Sequence, residues 1–264
     1  MPWFSNWRRE RILKRHPLEE RLWRSVVGRY PFTRALAAAE QLRLREQVIL
    51  FLHEKSIVGA GGLALRDEMR MCIAAQACML TLNLDLAYYR GWVEVIVYPD
   101  EFVAEYDYVD EDGIAHHVEA PMTGESWLEG PVILSWADAE LRSGDPGYNV
   151  VIHEFAHKID MLNGAANGFP PLHAGMDRAA WSRAFGAAFE DFGGRVARGE
   201  PTAIDPYAAE HPAEFFAVLS EAFIESPAAV RAEYEEVYRL LAAFYRQEPA
   251  ERIEAKSRAL HVEA

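Results

Sequence analysis

The chain has 264 residues, half of them hydrophobic and 26% charged, the balance of a soluble globular protein with enough apolar material for a substantial core. A formal net charge of −14 argues against nucleic acid or an anionic membrane as the main partner. No run of about 18 apolar residues offers a membrane span.

In chain order, Met1 to Arg11 carries charge with no apolar run behind it, so neither a secretory signal nor an Arg8-Arg9 export signal is expected, and the expected location is the cytoplasm. Residues 17–90 read as a helical layer. One helix starts at Pro17-Leu18-Glu19-Glu20, and an amphipathic run from Thr33 to about His53 places Leu36, Leu42, Leu44, Val48, Ile49 and Phe51 among Glu and Arg. A short apolar piece with glycines, Lys55 to Leu63, breaks it, and Asp67 reads as the N-cap of a buried helix through Leu80. That helix contains Cys72 and Cys78, too far apart for a bridge and read as small core residues.

The pattern switches to period two in 91–136. Trp92 to Tyr98 is a strand ended by Pro99-Asp100, and Pro131 to Trp136 is another. An extended peptide can add as a strand to an exposed sheet edge, and 131–136 is the expected edge. Between the two strands, Glu105 to Gly113 is acidic and turn-rich, expected unpacked and able to move, and is followed by His116-His117. Ser143 to Gly147 is a loop leading into the next helix.

That helix carries Val151-Ile152-His153-Glu154-Phe155-Ala156-His157-Lys158-Ile159-Asp160, an HExxH motif. His153 and His157 lie one turn apart on one face, the spacing at which two imidazoles hold one zinc ion. Glu154 is placed to take a proton from a water in the open fourth position. Asn163-Gly164 supplies the stop. The extended form with Gly at 160 and His at 163 is excluded, because Asp160 and Asn163 stand there. The third ligand is left open among Asp160, Glu214 and Glu221. Asp160 is preferred as a carboxylate holding a histidine tautomer. Glu214 and Glu221 lie two turns apart on an apolar helix opening near Pro212, where a carboxylate needs a partner such as a metal. Asn167 to Pro171 is a loop that borders the cleft. A helix from Asp177 to Phe192, ended by Gly193-Gly194, joins the two halves of the site. His173 and His211 read as loop histidines. A last helix runs from Val230 to about Tyr245, Pro249 ends it, and the final residues read as mobile.

The HEFAHKID and DPYAAEHPAEFFAVLSEAF stretches resemble the zinc peptidases of the Mlc titration factor A type and, more distantly, the catalytic domain of anthrax lethal factor. Glu94 to Pro99, Gly124-Glu125-Ser126-Trp127 and Gly130 to Leu134 are similar to the same family, in order, so the resemblance covers most of the chain after about residue 20. It implies one zinc held by His153, His157 and Glu214, with Glu154 as general base and Tyr207 stabilising the oxyanion. A histidine matching His116 stands with the family's zinc ligands, so His116 could fill the fourth position. The implied substrate is a short peptide cleaved in an aminopeptidase-like way. The implied alternative is a protein that sequesters a transcriptional repressor of the Mlc type. The expected fold is α+β and gluzincin-like: a helical layer at about 17–90, a catalytic part at 91–247 with a small mixed sheet on the zinc helix and the Glu-bearing helix, and a mobile 248–264.

Overall fold

The computed structural model describes residues 2–109, 115–126, 130–140 and 148–262, with backbone alone for 2–6, 102–109, 115–122, 257 and 259–262. The expected loop at 143–147 lies outside the described residues. Helices α1 (Pro2–Arg15), α2 (Glu20–Val27), α3 (Pro31–Arg34) and α4 (Ala38–Glu54) precede strand β1 (Ser56–Gly59) and helix α5 (Asp67–Thr81). Strands β2 (Glu94–Tyr98), β3 (Phe102–Val109), β4 (Ala115–Met122), β5 (Gly124–Ser126) and β6 (Val132–Ser135) follow. The rest is helical: α6 (Trp136–Glu140), α7 (Val150–Asp160), α8 (Arg178–Ala197), α9 (Pro212–Glu225), α10 (Pro227–Glu233), α11 (Glu235–Tyr245) and α12 (Pro249–Val262).

The fold is α+β, mostly helical, with a four-stranded mixed sheet ordered β1-β2-β6-β5. β1, β2 and β6 run parallel, and β5 pairs antiparallel with β6. Period two explains the sheet: Val95, Val97, Val132 and Leu134 are fully buried on alternate positions. Helix α5 is apolar on nearly every side and is buried from Met71 to Thr81, the pattern of a central helix. Its polar members find partners, since the Thr81 hydroxyl donates to Gln47 Oε1 at 2.8 Å. Helix α7 drives Phe155 into a cluster of Phe51, Tyr89 and Trp92, with ring centroids 5.1–5.6 Å away. Truncating such a fully buried ring to alanine costs about 3–5 kcal/mol, so the helix carrying the motif is firmly seated. A second aromatic cluster, Trp181, Phe185, Phe216 and Phe244, lies under α8, α9 and α11, with Trp181 stacked on Phe185 at 4.2 Å.

Several expectations are corrected. The strand at 132–135 is interior, and the edge beside the HExxH helix is the short β5. The acidic segment after residue 100 pairs as the β3–β4 hairpin, in register from Phe102–Met122 to Val109–Ala115, so it is not an unpacked loop; residues 110–114 lie outside the described residues. Gly193-Gly194 does not end α8, which runs on to Ala197 because Phe192 is fully buried and Val196 packs on the core. That burial outweighs the roughly 1 kcal/mol that each helical glycine costs. The long C-terminal helix is two helices, broken at Tyr234, and Pro249 opens α12 rather than closing α11. The sequence ahead of residue 17 also forms a helix, α1, with Ile12 buried and Arg9 paired to Glu46 at 2.6 Å.

Candidate metal centre

Asn149 opens the HExxH helix by accepting the Ile152 N–H on its side-chain oxygen at 2.9 Å. One turn separates His153 from His157, and both rings face α9. There Pro212 sets the first turn, His211 caps it through Nδ1 at 3.2 Å from the Ala213 N–H, and Glu214 follows. Gly168 permits the close approach of the preceding loop to this helix: a Cβ on it would stand 2.5 Å from the Pro212 carbonyl oxygen.

The structure brings together three of the expected ligands. His153 Nε2 and His157 Nε2 are 3.1 Å apart, and Glu214 Oε2 is 3.0 Å from the first and 3.2 Å from the second. Two ligand atoms on one tetrahedral zinc stand about 3.3 Å apart, so the triangle has the right size for that ion. Its chemistry also fits, with two imidazole nitrogens and one carboxylate oxygen converging on one point. Burial pushes the Glu214 carboxyl up, but hydrogen bonds with His153 and His157 outweigh it and hold the group well below the usual carboxylate range, as a permanent anion.

Asp160 and Glu221, the other candidates for third ligand, lie outside this triangle. Asp160 is fully buried, and its Oδ2 accepts the N–H groups of Asn167 and Gly168, both at 2.7 Å. It anchors the loop after the helix, and its hydrogen bonds run to that loop and to no histidine. Among the described residues the buried His157 Nδ1 and Asp160 Oδ1 have no hydrogen-bond partner. Glu221 takes the tautomer-holding contact, with Oε1 2.5 Å from His153 Nδ1. His116 lies on β4 opposite Tyr108, and its side chain is outside the described residues. His173 stacks on Phe244 and donates to its carbonyl at 2.7 Å, away from the centre.

Glu154 is buried at 5% exposure, and burial raises its pKa against the pull of the two histidines, which makes it a better base than a solvated glutamate. Gly124 of β5 lies directly against it: a Cβ there would come within 2.6 Å of Glu154 Oε1. The Ser135 N–H donates to the Thr123 carbonyl at 2.7 Å, so Gly124 and Ser126 fall on the non-hydrogen-bonded positions of the antiparallel ladder. Their own N–H and C=O groups therefore point away from β6, to an edge that pairs with no other strand among the described residues. Tyr207 sits in a single turn of 3-10 helix capped by Asp205, whose Oδ1 accepts the Tyr207 N–H at 2.9 Å. Its ring is 52% exposed and 6.0 Å from that of His153.

A cavity of about 310 Å³ opens here, lined by Gly124, Tyr148, Glu154, Asp205, Tyr207 and Val218 among others. Sequence reasoning left Tyr148 without a role and weighed Glu221 only as a metal ligand, not as a partner of His153 Nδ1. The signal for Glu221 is faint but present: Glu214, Glu221 and Glu225 recur at seven and four residues along an otherwise apolar helix. Tyr148 gives no signal of its own, and it reaches the site through a hydroxyl donating to Thr123 Oγ1 at 3.0 Å.

A model of the family described as glucose-regulated metallo-peptidase M90 matches residues 4–246. The chain belongs to that family. Curated relatives agree along nearly their whole length. Mlc titration factor A of Salmonella arizonae is 37% identical over 237 residues, 88% of this chain and 93% of the relative. The Serratia proteamaculans protein of the same name is 36% identical over 235 residues, 88% and 89% of the two chains. An uncharacterized Synechocystis protein is 34% identical over 252 residues, covering 94% and 91%. The donor triangle thus sits in a metallopeptidase family, and no helix among the described residues is long and apolar enough to cross a membrane.

Proposed function

We propose that the chain is a zinc-dependent peptidase of short peptides, aminopeptidase-like and built as a gluzincin. The observation that carries this is the His153–His157–Glu214 triangle with a buried carboxylate, Glu154, and an open strand edge, β5, beside it. His153, His157 and Glu214 would hold the metal, which when bound supplies a Lewis acid that polarises a carbonyl and makes water nucleophilic at neutral pH. The substrate backbone lies along β5, bonded to the outward N–H and C=O of Gly124 and Ser126. Glu154 accepts the proton of the attacking water and returns it to the leaving amine nitrogen. The Tyr207 hydroxyl donates to the carbonyl oxygen as negative charge develops on it. The cavity, walled by Val150 and Val218 with the Asp205 carboxylate at its rim, accepts a residue flanking the cleaved bond.

Elemental analysis with a peptide panel tests the reading. One zinc per chain is expected, much reduced in Glu214→Ala. Glu154→Gln is expected to retain the zinc and to lose about two to four orders of magnitude in turnover. Normal turnover by zinc-loaded Glu154→Gln would refute the mechanism. The name shared by the curated relatives favours a second reading, the titration of an Mlc-type repressor. In that case Glu154→Gln keeps the repressor-binding activity of the parent.

A further inference from the structure

The hydrogen bond from His153 to Glu221 belongs to a larger buried network. A carboxylate only accepts, so Glu221 Oε1 at 2.5 Å holds a proton on His153 Nδ1 and turns Nε2, the atom that would bind the metal, toward Glu214 and His157. Glu221 itself is 2% exposed, and its second oxygen accepts the Asn149 backbone N–H at 2.7 Å. As the residue that opens the helix, Asn149 has a backbone N–H with no intrahelical duty. Its side chain is used at every position. The oxygen caps Ile152, and the amide nitrogen donates to Gln76 Oε1 and Glu225 Oε1, both at 2.8 Å. Gln76 is anchored in turn on the Cys72 and Ala139 carbonyls, each at 3.3 Å. One asparagine therefore ties α5, α7 and α9 together next to the donor triangle. The other histidine has nothing comparable: His157 Nδ1 is buried without a hydrogen-bond partner among the described residues.

We propose that Glu221 and Asn149 are positioning residues that set the metal affinity of the centre through His153, and that the two histidines are held unequally at Nδ1, that of His153 by a carboxylate of a neighbouring helix and that of His157 by no hydrogen bond among the described residues. This rests on the reading of the triangle as a zinc site. The reason is geometric. A ligand whose ring is already turned and whose tautomer is already fixed loses less freedom on binding, and contacts of this kind are commonly worth about 10–100-fold in metal affinity. An amide at position 221 could satisfy only one of the two donors that meet there, His153 Nδ1–H and Asn149 N–H, because it has one acceptor oxygen where the carboxylate has two. Asp160, whose oxygen is committed to the loop at 167–168, serves as the comparison.

The test is a zinc titration of metal-free protein against a chelator of known affinity, with melting of the metal-free forms followed in parallel. Wild type, Glu221→Gln, Glu221→Asp and Asp160→Asn are compared. Glu221→Gln is expected to bind zinc about 10–100-fold more weakly, while the donor it leaves unpaired lowers the melting temperature of the metal-free protein no further than Asp160→Asn does. Glu221→Asp keeps the charge but is one methylene short of His153, so it is expected to weaken binding as well, and it carries the test if the glutamine variant does not fold. Asp160→Asn is expected to melt earlier yet bind zinc close to wild type. Wild-type affinity in both Glu221 variants overturns the proposal, as does an Asp160→Asn loss equal to that of Glu221→Gln, which would mean general loosening. Wild-type protein that takes up no zinc would instead overturn the metallopeptidase reading on which the proposal stands.

Discussion

Deleting the Tyr207 hydroxyl separates chemistry from packing at the scale of one atom. The residue is half exposed and lies beside His153, so Tyr207→Phe removes a donor and keeps the ring. The expected result is a fall in kcat of about a hundredfold with no change in Tm, read by steady-state kinetics and thermal melting. Unchanged kcat would leave Tyr207 as a rim residue. Single residues were legible in the sequence where their geometry is local. His153, Glu154 and His157 share one helical turn, and their spacing alone places them. Glu214, 57 residues beyond His157, was legible as a carboxylate stranded on an apolar helix. What spacing could not tell was which carboxylate meets which nitrogen. Glu214 and Glu221 lie on one face of α9, yet the crossing of α7 over α9 sends the first to His153 Nε2 and the second to Nδ1. The same limit misplaced Asp160. One turn after His157 it reads as a partner for that ring, but two backbone N–H groups of the following loop claim its oxygen first.

Among the elements, helix α9 carries the site and also a weakness at its C-terminal end. Glu225 is partly buried there, and its pKa is pushed up to about 7, by burial first and by the charge of Glu221, with the Asn149 hydrogen bond opposing. The folded protein therefore keeps a proton that the unfolded chain has released above its ordinary value of 4.5. In that window unfolding releases a proton, so stability falls as pH rises from about 4.5 to about 7 and levels off beyond. Glu225→Gln keeps an acceptor for Asn149 and removes the titration. Urea unfolding of metal-free protein should show no advantage for the variant near pH 4.5 and an advantage growing to about 2–3 kcal/mol by pH 8. A difference constant across that range would show that Glu225 does not titrate on unfolding. Elements were legible in proportion to their periodicity. Helices α4, α5, α7 and α9 and strands β2 and β6 follow from apolar spacing. Strand β5, only Gly124-Glu125-Ser126, has no alternation to find and exists because β6 offers it a ladder. In the β3–β4 hairpin Glu105-Tyr106-Asp107-Tyr108 does alternate, but the acidic content and the following Gly113 favour a loop reading over the strand that the paired backbone adopts.

Across the whole molecule, a single contiguous cluster of buried side chains runs from Trp23 to Ala250, so the helical layer and the catalytic part share one core. The last contributors are the least legible. Residues after 248 are charged and weakly apolar, which reads as a mobile tail, but α12 is joined to the first third of the chain by contacts that no local pattern announces. Arg252 Nη2 pairs with Glu40 Oε1 at 2.8 Å, both side chains at 20% exposure or less. Just before α12, the Gln247 amide donates to the Met79 carbonyl of α5 at 2.7 Å, and Asn83 donates to the Arg246 carbonyl at 2.6 Å. At the corner, the Tyr238 hydroxyl donates to Glu248 and accepts the Ala250 N–H. Deleting residues 249–264 strips Glu40 of a half-buried partner and uncovers the α11 corner. Losing one sheltered ion pair and one buried corner should cost about 2–3 kcal/mol. For a chain of this size that lowers Tm by about 5–10 °C. Zinc content is expected to stay at the level of the full chain, because α12 packs on α10 and meets Glu40 of α4, away from α7 and α9. Melting and elemental analysis of the truncated protein check both halves of this expectation. An unchanged Tm would mean that α12 adds nothing to the core, and lost zinc would mean that the C-terminal helix reaches the metal centre through the packing of α10 on α9.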